Sequence, residues 1–117
     1  MKANILYKDQ DIIVAIKPSG VPAQSDRSVS EDMVSCLKNY VYETENMAEE
    51  PYIAVINRLD RPVSGIMLFA RSKEAAASLT KQITDGEINK YYQAVLTGEL
   101  PDWSGTLTDY IYHDPKT

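Results

Sequence analysis

Two short apolar runs on either side of a charged turn limit most strongly what this chain can fold into. The runs cover residues 52–56 and 66–70, and the turn "NRLDRPVSG" lies between them. Each run is shorter than an ordinary helix and is apolar throughout rather than alternating, which is typical of strands covered on both faces. We therefore predict buried strands over 52–56 and 66–69, in a fold that supplies other elements to cover them.

The N-terminal residues predict a β-hairpin. Ile5–Tyr7 and Ile12–Ile16 are short apolar runs, and the polar residues 8–11 between them form the turn. Pro18 and Gly20 then end the second strand, because proline cannot donate to a ladder and glycine accepts positive φ angles.

Two stretches have helical periodicity. In the first, Ser28 and Glu31 have the spacing of a capping box, and we expect the helix to end near Glu43. In the second, Ser72 is the expected N-cap and Gly86 marks the end. The inward faces are formed by apolar residues at helical spacing: Met33, Val34, Leu37, Tyr40 and Val41 in the first helix, and Ala76, Leu79 and Ile83 in the second.

Two further strands are predicted after the second helix, in "INKYYQAVLTG" and in "GTLTDYIYH". The order β-β-α-β-β-α-β-β predicts one α+β domain over residues 1–117, with a mixed, mostly antiparallel sheet and helices packed against it. The last strand leads into an Asp-Pro turn signal, after which the sequence stops. We therefore expect the chain to be the N-terminal part of a longer, C-terminally truncated catalytic domain.

Charge is distributed unevenly along the chain, whose net charge is −5. Residues 26–50 hold seven acidic and two basic residues, whereas residues 51–92 hold six basic and four acidic ones. A protein that binds polyanions strongly is usually basic overall. Any nucleic-acid surface on this chain must therefore be local.

Cysteine and histidine are scarce. The single cysteine, Cys36, excludes an internal disulfide, fits a reducing cytoplasm and falls on the apolar stripe of the first helix, as a structural thiol does. The single histidine, His113, has no neighbouring ligands, so we expect no metal. No apolar run approaches the ~18 residues that a membrane span needs.

The charged turn has a plain and a functional interpretation. The plain one is an exposed ion pair between Asp60 and Arg58 or Arg61, which stabilises a fold by roughly 0–1 kcal/mol. The functional one starts from the extended backbone, in which Arg58 and Asp60 share a face while Leu59 points to the core. An arginine beside Asp60 keeps the carboxylate ionised, and an ionised carboxylate can act as a nucleophile but is a poor general acid.

A glycoside hydrolase is a third alternative. Such enzymes use two carboxylates ~5–10 Å apart. Asp85 and Glu87 are the nearest candidates for the second acid, and they flank Gly86 at the end of the second predicted helix. We expect this position to lie on the far side of the fold from Asp60, which argues against a hydrolase.

The turn and its surroundings resemble the motifs of the pseudouridine synthases of the RluA-like branch. "NRLDRPVSGIMLFARS" is similar to the family's central motif, which usually begins His-Arg-Leu-Asp, so that Asn57 stands in the place of the histidine. "ILYKDQDIIVAIKPSGVPAQ" resembles the N-terminal hairpin with its Lys-Pro-Ser-Gly turn, "NKYYQAVLTGEL" resembles the Lys-x-Tyr strand, and "GTLTDYIYHDPKT" resembles the strand after it. Ordered motifs that span nearly the whole chain make the resemblance specific.

The resemblance implies an RNA pseudouridine synthase, an isomerase that converts uridine to pseudouridine in rRNA or tRNA by base flipping and aspartate nucleophilic catalysis, without a cofactor. Matched by position, Asp60 is the catalytic aspartate, Tyr92 stacks on the target base, and Arg58 holds the RNA open and pairs with the aspartate. The turn at residues 17–20 supports the site structurally. Lys90 shares a strand face with Tyr92 and is a candidate phosphate contact.

One part of the family pattern is missing. The later strand that carries a basic residue against the aspartate, and the basic segments beyond it, have no counterpart before Thr117. A second hypothesis is therefore that the chain binds RNA or folds without turnover on its own.

Overall fold

The computed structural model describes residues 1–24 and 31–115 of the chain. Its elements, in order, are β1 (Ile5–Lys8), β2 (Ile12–Lys17), α1 (Met33–Thr44), β3 (Ala54–Val55), β4 (Gly65–Ala70) and α2 (Lys73–Thr84). The strands form one sheet in the order β1-β2-β4-β3, and every neighbouring pair is antiparallel. The predicted α+β class, with an antiparallel sheet and two helices, is confirmed.

The core lies between α1 and one face of the sheet. Ile13 pairs with Phe69 and Ala15 with Met67 across β2 and β4, and all four side chains are fully buried. The apolar stripe of α1 belongs to the same cluster: Met33, Val34, Leu37 and Val41. Alternation along β2 and β4 thus aims every second residue at α1.

The prediction that both faces of β4 are covered is wrong at Ile66, whose side chain is 60% exposed. The reason lies in α2, which packs against β4 but contains no buried residue. Two of its five half-buried positions are alanines, whose short side chains cover little of the sheet. The second face of the sheet is therefore only partly covered.

The helix ends agree with the sequence at both ends of α2 and at the C-terminal end of α1, which lies at Thr44 beside the predicted Glu43, but differ at the N-terminal end of α1. Ser72 Oγ accepts from the backbone N–H of Ala75 at 3.0 Å, and Gly86 follows α2 with a φ of +73°, both as predicted. At α1 the N-cap is Asp32, which accepts from Ser35 N at 2.6 Å and is 3% exposed. The predicted capping residue, Ser28, lies outside the described residues, and Glu31 forms an ion pair with the chain's N-terminal amine.

The two strands predicted after α2 are wrong for the described residues 87–115, which contain no strand. β3 is likewise shorter than the predicted 52–56. A strand exists only through a hydrogen-bonded neighbour, and in the described part of the chain nothing pairs with this last segment. Its large apolar side chains are exposed as a result: Tyr91, Tyr92, Val95, Leu96, Leu100, Trp103, Leu107, Tyr110, Ile111 and Tyr112.

No helix in the described ranges is long and apolar enough to cross a membrane.

Candidate active site

The charged turn is a loop that leaves the sheet after β3 and returns at β4. Leu59 is buried at 8% exposure, whereas its neighbours Arg58 and Asp60 are exposed, as the alternation of an extended segment predicts. The backbone N–H of Val63 donates to Asp60 O at 2.9 Å and closes the turn. The loop therefore presents the side chains of Arg58 and Asp60 outward from a buried leucine.

The turn after β2 holds the downstream end of this loop. Gly20 N donates to Arg61 O at 2.7 Å, and Ser19 Oγ donates to Pro62 O at 2.7 Å. Lys17 is fully buried, and its Nζ donates to Arg61 O at 3.0 Å. Three contacts thus fix the backbone directly after Asp60.

Lys17 also ties its own turn together, since Nζ donates to Val21 O at 2.7 Å and to Pro18 O at 3.0 Å. Burial lowers the pKa of Lys17 from its ordinary 10.5, and the negative charge of Asp60 opposes that change. The buried ammonium is therefore within electrostatic reach of the Asp60 carboxylate. The resemblance assigned this turn only a supporting role. The sequence signal for a direct contact with the charged loop is that a lysine occupies an inward position of β2, two residues after Ala15.

The expected pairing of Arg58 with Asp60 is not formed. Within the described residues no ion pair joins the two side chains, and both point into solvent. An exposed pair gains little over hydration of its two charges, which is the physical reason that they separate. The negative charge of Asp60 acts on Lys17, whose pKa it raises.

Tyr92 lies across a cavity from this loop. The cavity has a volume of about 550 Å³, and Tyr92 is 67% exposed. Its lining comes from the loop, the start of β4 and the segment after α2: Leu59, Val63, Ser64, Gly65, Ile66, Tyr91, Tyr92 and Gln93. Leu59 directly precedes Asp60 and Val63 follows it by three residues, so the cavity brings the tyrosine to the loop that carries the aspartate, although Asp60 itself does not line the cavity.

Gly65 allows the loop to pack closely against β4. A Cβ at this position would lie 3.2 Å from Leu59 Cδ1, and the glycine has a φ of +156°. A Cβ here would therefore force the end of the Leu59 side chain to move by a few tenths of an ångström.

A second cavity, of about 370 Å³, lies beside the first. It is lined by Asn57, by Ile66 and Leu68 of β4, by Ile83 of α2 and by residues 88–92, so that Lys90 lies near the loop's first residue. A larger cavity of about 640 Å³ is lined only by residues between 94 and 103. Because one unpaired segment forms all its walls, far along the chain from the charged loop, we assign that cavity no role.

The residues of the hydrolase alternative do not join the site. Asp85 forms an ion pair with Lys81 one helical turn earlier, at 2.8 Å, and neither Asp85 nor Glu87 lines a cavity next to the charged loop. Across residues 1–24 and 31–115, no group of three His, Cys, Asp or Glu side chains could hold a metal ion. The arrangement offers one exposed carboxylate, two aromatic rings (Tyr91 and Tyr92) and nearby cationic groups.

Comparison with known proteins adds independent information. A model of the family described as RNA pseudouridylate synthase matches residues 11–116. The ribosomal large subunit pseudouridine synthase D of Xanthomonas campestris is 31% identical over 114 residues, which are 97% of this chain and 33% of that protein. RNA pseudouridine synthase 1 of Arabidopsis thaliana is 32% identical over 100 residues, or 86% of this chain and 27% of that protein.

A solved structure, that of human RNA pseudouridylate synthase domain containing 4, matches with a TM-score of 0.59 and 23% identity. The match covers 72% of this chain and 30% of that one, and it supports the fold alone. The chain spans about a third of the length of the curated relatives it matches.

Proposed function

Because the chain belongs to the RNA pseudouridylate synthase family, we propose that it carries the nucleophile of an enzyme that isomerises uridine to pseudouridine in RNA. The observation that carries this proposal is the exposed Asp60 on a loop fixed to the turn after β2, beside a cavity that Tyr92 lines. Several relatives are named for the ribosomal large subunit, so ribosomal RNA is the substrate we propose first, with transfer RNA as the alternative.

Tyr92 receives the base in this proposal. A uridine inside a duplex must be flipped out at a cost of a few kcal/mol. Stacking on an aromatic ring returns ~1–3 kcal/mol per base. The ring of Tyr92 is accessible, and the adjacent cavity of about 550 Å³ has ample space for a uracil.

Asp60 acts on the sugar. Its carboxylate attacks or stabilises the ribose carbon C1′ while the bond from C1′ to N1 of uracil breaks, and the uracil leaves with the electron pair as an anion. The uracil rotates and its C5 bonds to C1′, while any ester bond between Asp60 and C1′ breaks and returns its electron pair to the carboxylate. The proton on C5 then goes to solvent, and N1 takes up a proton from solvent. No atom is oxidised, so the reaction requires no cofactor.

Arg58 contacts the RNA backbone rather than the aspartate. Its guanidinium is exposed, and in the described structure it makes no ion pair that would have to break first. Arginine binds phosphate through paired hydrogen bonds. Because the chain is acidic overall, we expect the contact to be local and RNA binding to weaken steeply with salt.

A second candidate function is RNA binding without turnover by this chain alone. The observation in its favour is that the described residues from 87 onward, including Tyr92, have no strand partner. A base stacked on a ring that the sheet does not hold would not be oriented toward Asp60, and orientation supplies much of a catalytic rate.

Tritium release from RNA containing 5-tritiated uridine separates these candidates. We would compare the chain alone with a chimaera in which residues 1–117 replace the matching segment of the Xanthomonas campestris relative. Asp60→Asn keeps the shape and removes the charge, so turnover should fall at least a thousandfold while RNA binding persists. Asp85→Asn, which removes an aspartate paired with Lys81, is the matched control and should leave turnover unchanged.

Release by the chain alone would refute the binding-only candidate. RNA binding by the chain, with release only by the chimaera, would support that candidate for the chain and the synthase for the domain. Turnover by the Asp60→Asn chimaera at the unsubstituted rate would refute the proposed role of Asp60.

A further inference from the structure

We propose that Asn57 is a positioning residue for Asp60, because its side-chain amide takes the place of a strand partner on β4 and fixes the point at which the chain enters the charged loop. The part of this inference that concerns catalysis rests on the proposed function. The part that concerns the position of the loop does not.

The contacts of Asn57 continue the β3–β4 ladder beyond its last backbone pair. That pair joins Val55 to Phe69, after which Ile56 N donates to Leu68 O at 3.0 Å. Asn57 then contributes its side chain: Oδ1 accepts from Leu68 N at 2.7 Å, and Nδ2 donates to Ile66 O at 3.4 Å. One amide thus satisfies two backbone groups on the outer edge of β4.

This substitution of a side chain for a strand explains why β3 can be so short. A backbone that continued along β4 would carry residues 57–60 into the sheet and bury or align their side chains with it. Asn57 instead meets the hydrogen-bonding needs of β4 with its side chain, so that the backbone turns away at once. Arg58 and Asp60 consequently lie outside the sheet.

Asp60 therefore lies between two anchors. Upstream, Asn57 fixes the chain to β4, three residues before the aspartate. Downstream, Lys17 and Gly20 fix the carbonyl of Arg61, one residue after it. Leu59 packs into the core between the anchors. Loss of either anchor would leave the carboxylate attached to the fold from one side.

The chemistry at position 57 requires both a donor and an acceptor. Leu68 N must meet an acceptor and Ile66 O a donor, and this pair of partners fixes which way the amide points. Leucine has nearly the shape of asparagine and neither group. A neutral histidine has one ring N–H and one unprotonated ring nitrogen, so it offers the same pair.

The position of the loop is tested by amide hydrogen exchange in the 117-residue chain. In Asn57→Leu, the amide of Leu68 loses its partner, and the amide of Val63, which donates to Asp60 O, should exchange at least tenfold faster. The amide of Ile16, which donates to Asn4 O on the other side of the sheet, is the internal control and should not change. Val63 exchange at the wild-type rate would overturn the proposal.

Asn57→Ala serves if Asn57→Leu does not fold, because it removes the same two contacts and opens both backbone groups to water. We then expect Val63 exchange to rise at least threefold, and an unchanged rate would again count against the inference. These measurements need no catalysis. If neither the chain nor the chimaera releases tritium, the proposed function fails while the exchange of Val63 still decides the role of Asn57.

The catalytic part is tested in whichever of the chain and the chimaera releases tritium. Asn57→Leu should lower kcat at least tenfold, because it displaces the nucleophile, and KM should rise by a smaller factor, because Arg58 shifts with the loop whereas Tyr92 does not. Asn57→His at pH 8, where imidazole is neutral, should restore kcat to within about threefold. A rise in KM alone, or a histidine variant as slow as the leucine variant, would overturn a positioning role.

Discussion

Replacing Lys17 by methionine tests the anchor downstream of Asp60. The substitution keeps the length of the side chain and removes the ammonium that donates to the carbonyls of Pro18, Val21 and Arg61. The site is fully buried, so water cannot take over these three contacts without a rearrangement. Both the turn after β2 and the charged loop lose a shared partner.

The expected magnitude follows from opposing effects. Three hydrogen bonds to a charged donor are worth about 1.5–3 kcal/mol each. Two effects oppose this loss. The substitution removes the cost of desolvating a buried ammonium, which is several kcal/mol, and methionine gains apolar burial. Burial lowers the pKa of Lys17 and the charge of Asp60 only partly offsets this, so part of the desolvation cost remains in the folded chain. We therefore expect the free energy of unfolding to fall by about 2–4 kcal/mol, a large share of the stability of a small domain.

Urea unfolding followed by far-UV circular dichroism measures this change. Tryptophan fluorescence is unsuited to it, because Trp103 is fully exposed in the native chain. The matched control is Lys38→Met: Lys38 pairs with Glu50 at 2.9 Å, but Glu50 is 76% exposed. The control should lose less than about 0.5 kcal/mol. If the free energy of unfolding of Lys17→Met were within about 0.5 kcal/mol of that of the unsubstituted chain, Lys17 would not anchor the charged loop.

The same residue predicts a dependence on pH. Since the pKa of Lys17 is lower in the folded chain than its ordinary 10.5, the unfolded chain binds more protons between the two values, and folding stability rises with pH there. The stability advantage of the unsubstituted chain over Lys17→Met should therefore widen as pH rises through the lowered folded pKa toward 10.5. A narrowing difference in urea titrations at these pH values would contradict the burial argument.

Three further substitutions test local features. Asp32→Ala removes the N-cap of α1 and should lower the free energy of unfolding by about 1–2 kcal/mol in urea titrations. Gly65→Ala places a Cβ against Leu59 at a φ of +156° and should cost about 1–2 kcal/mol in the same assay, with faster exchange of the Val63 amide. Asp9 accepts three hydrogen bonds that hold its pKa below its ordinary 3.8. The stability that these bonds confer is therefore present above pH 3.8 and is lost as pH falls through the lower folded value. In Asp9→Ala, the free energy of unfolding should depend less on pH in the acid range.

Features set by neighbouring residues could be predicted from the sequence. The hairpin, β4, the start of α2 at Ser72 and its end at Gly86 all follow from apolar periodicity and from capping and turn residues. The exposed Asp60 beside the buried Leu59 follows in the same way, since alternation in an extended segment is local.

Features that depend on residues far apart in the sequence could not be predicted from it. The segment after α2 has the composition of strands, but composition does not supply the neighbour that a strand requires. Asn57 differs from the residue usual in the family, and its two contacts become visible only through the position of β4 beside it. The role of Lys17 likewise depends on Arg61, which follows it by 44 positions.

That separation of 44 positions has a consequence for the order in which the molecule assembles. During synthesis the hairpin of β1 and β2 leaves the ribosome before the charged loop does. Lys17 and the carbonyls of its own turn are then present, but the carbonyl of Arg61, its third partner, has not yet been made. A two-stranded hairpin by itself is marginally stable in water. Closing so long an intervening segment has an entropic cost that is recovered only when β4 pairs with β2. The loop that bears the carboxylate must therefore take its final shape late, after the sheet on which it depends.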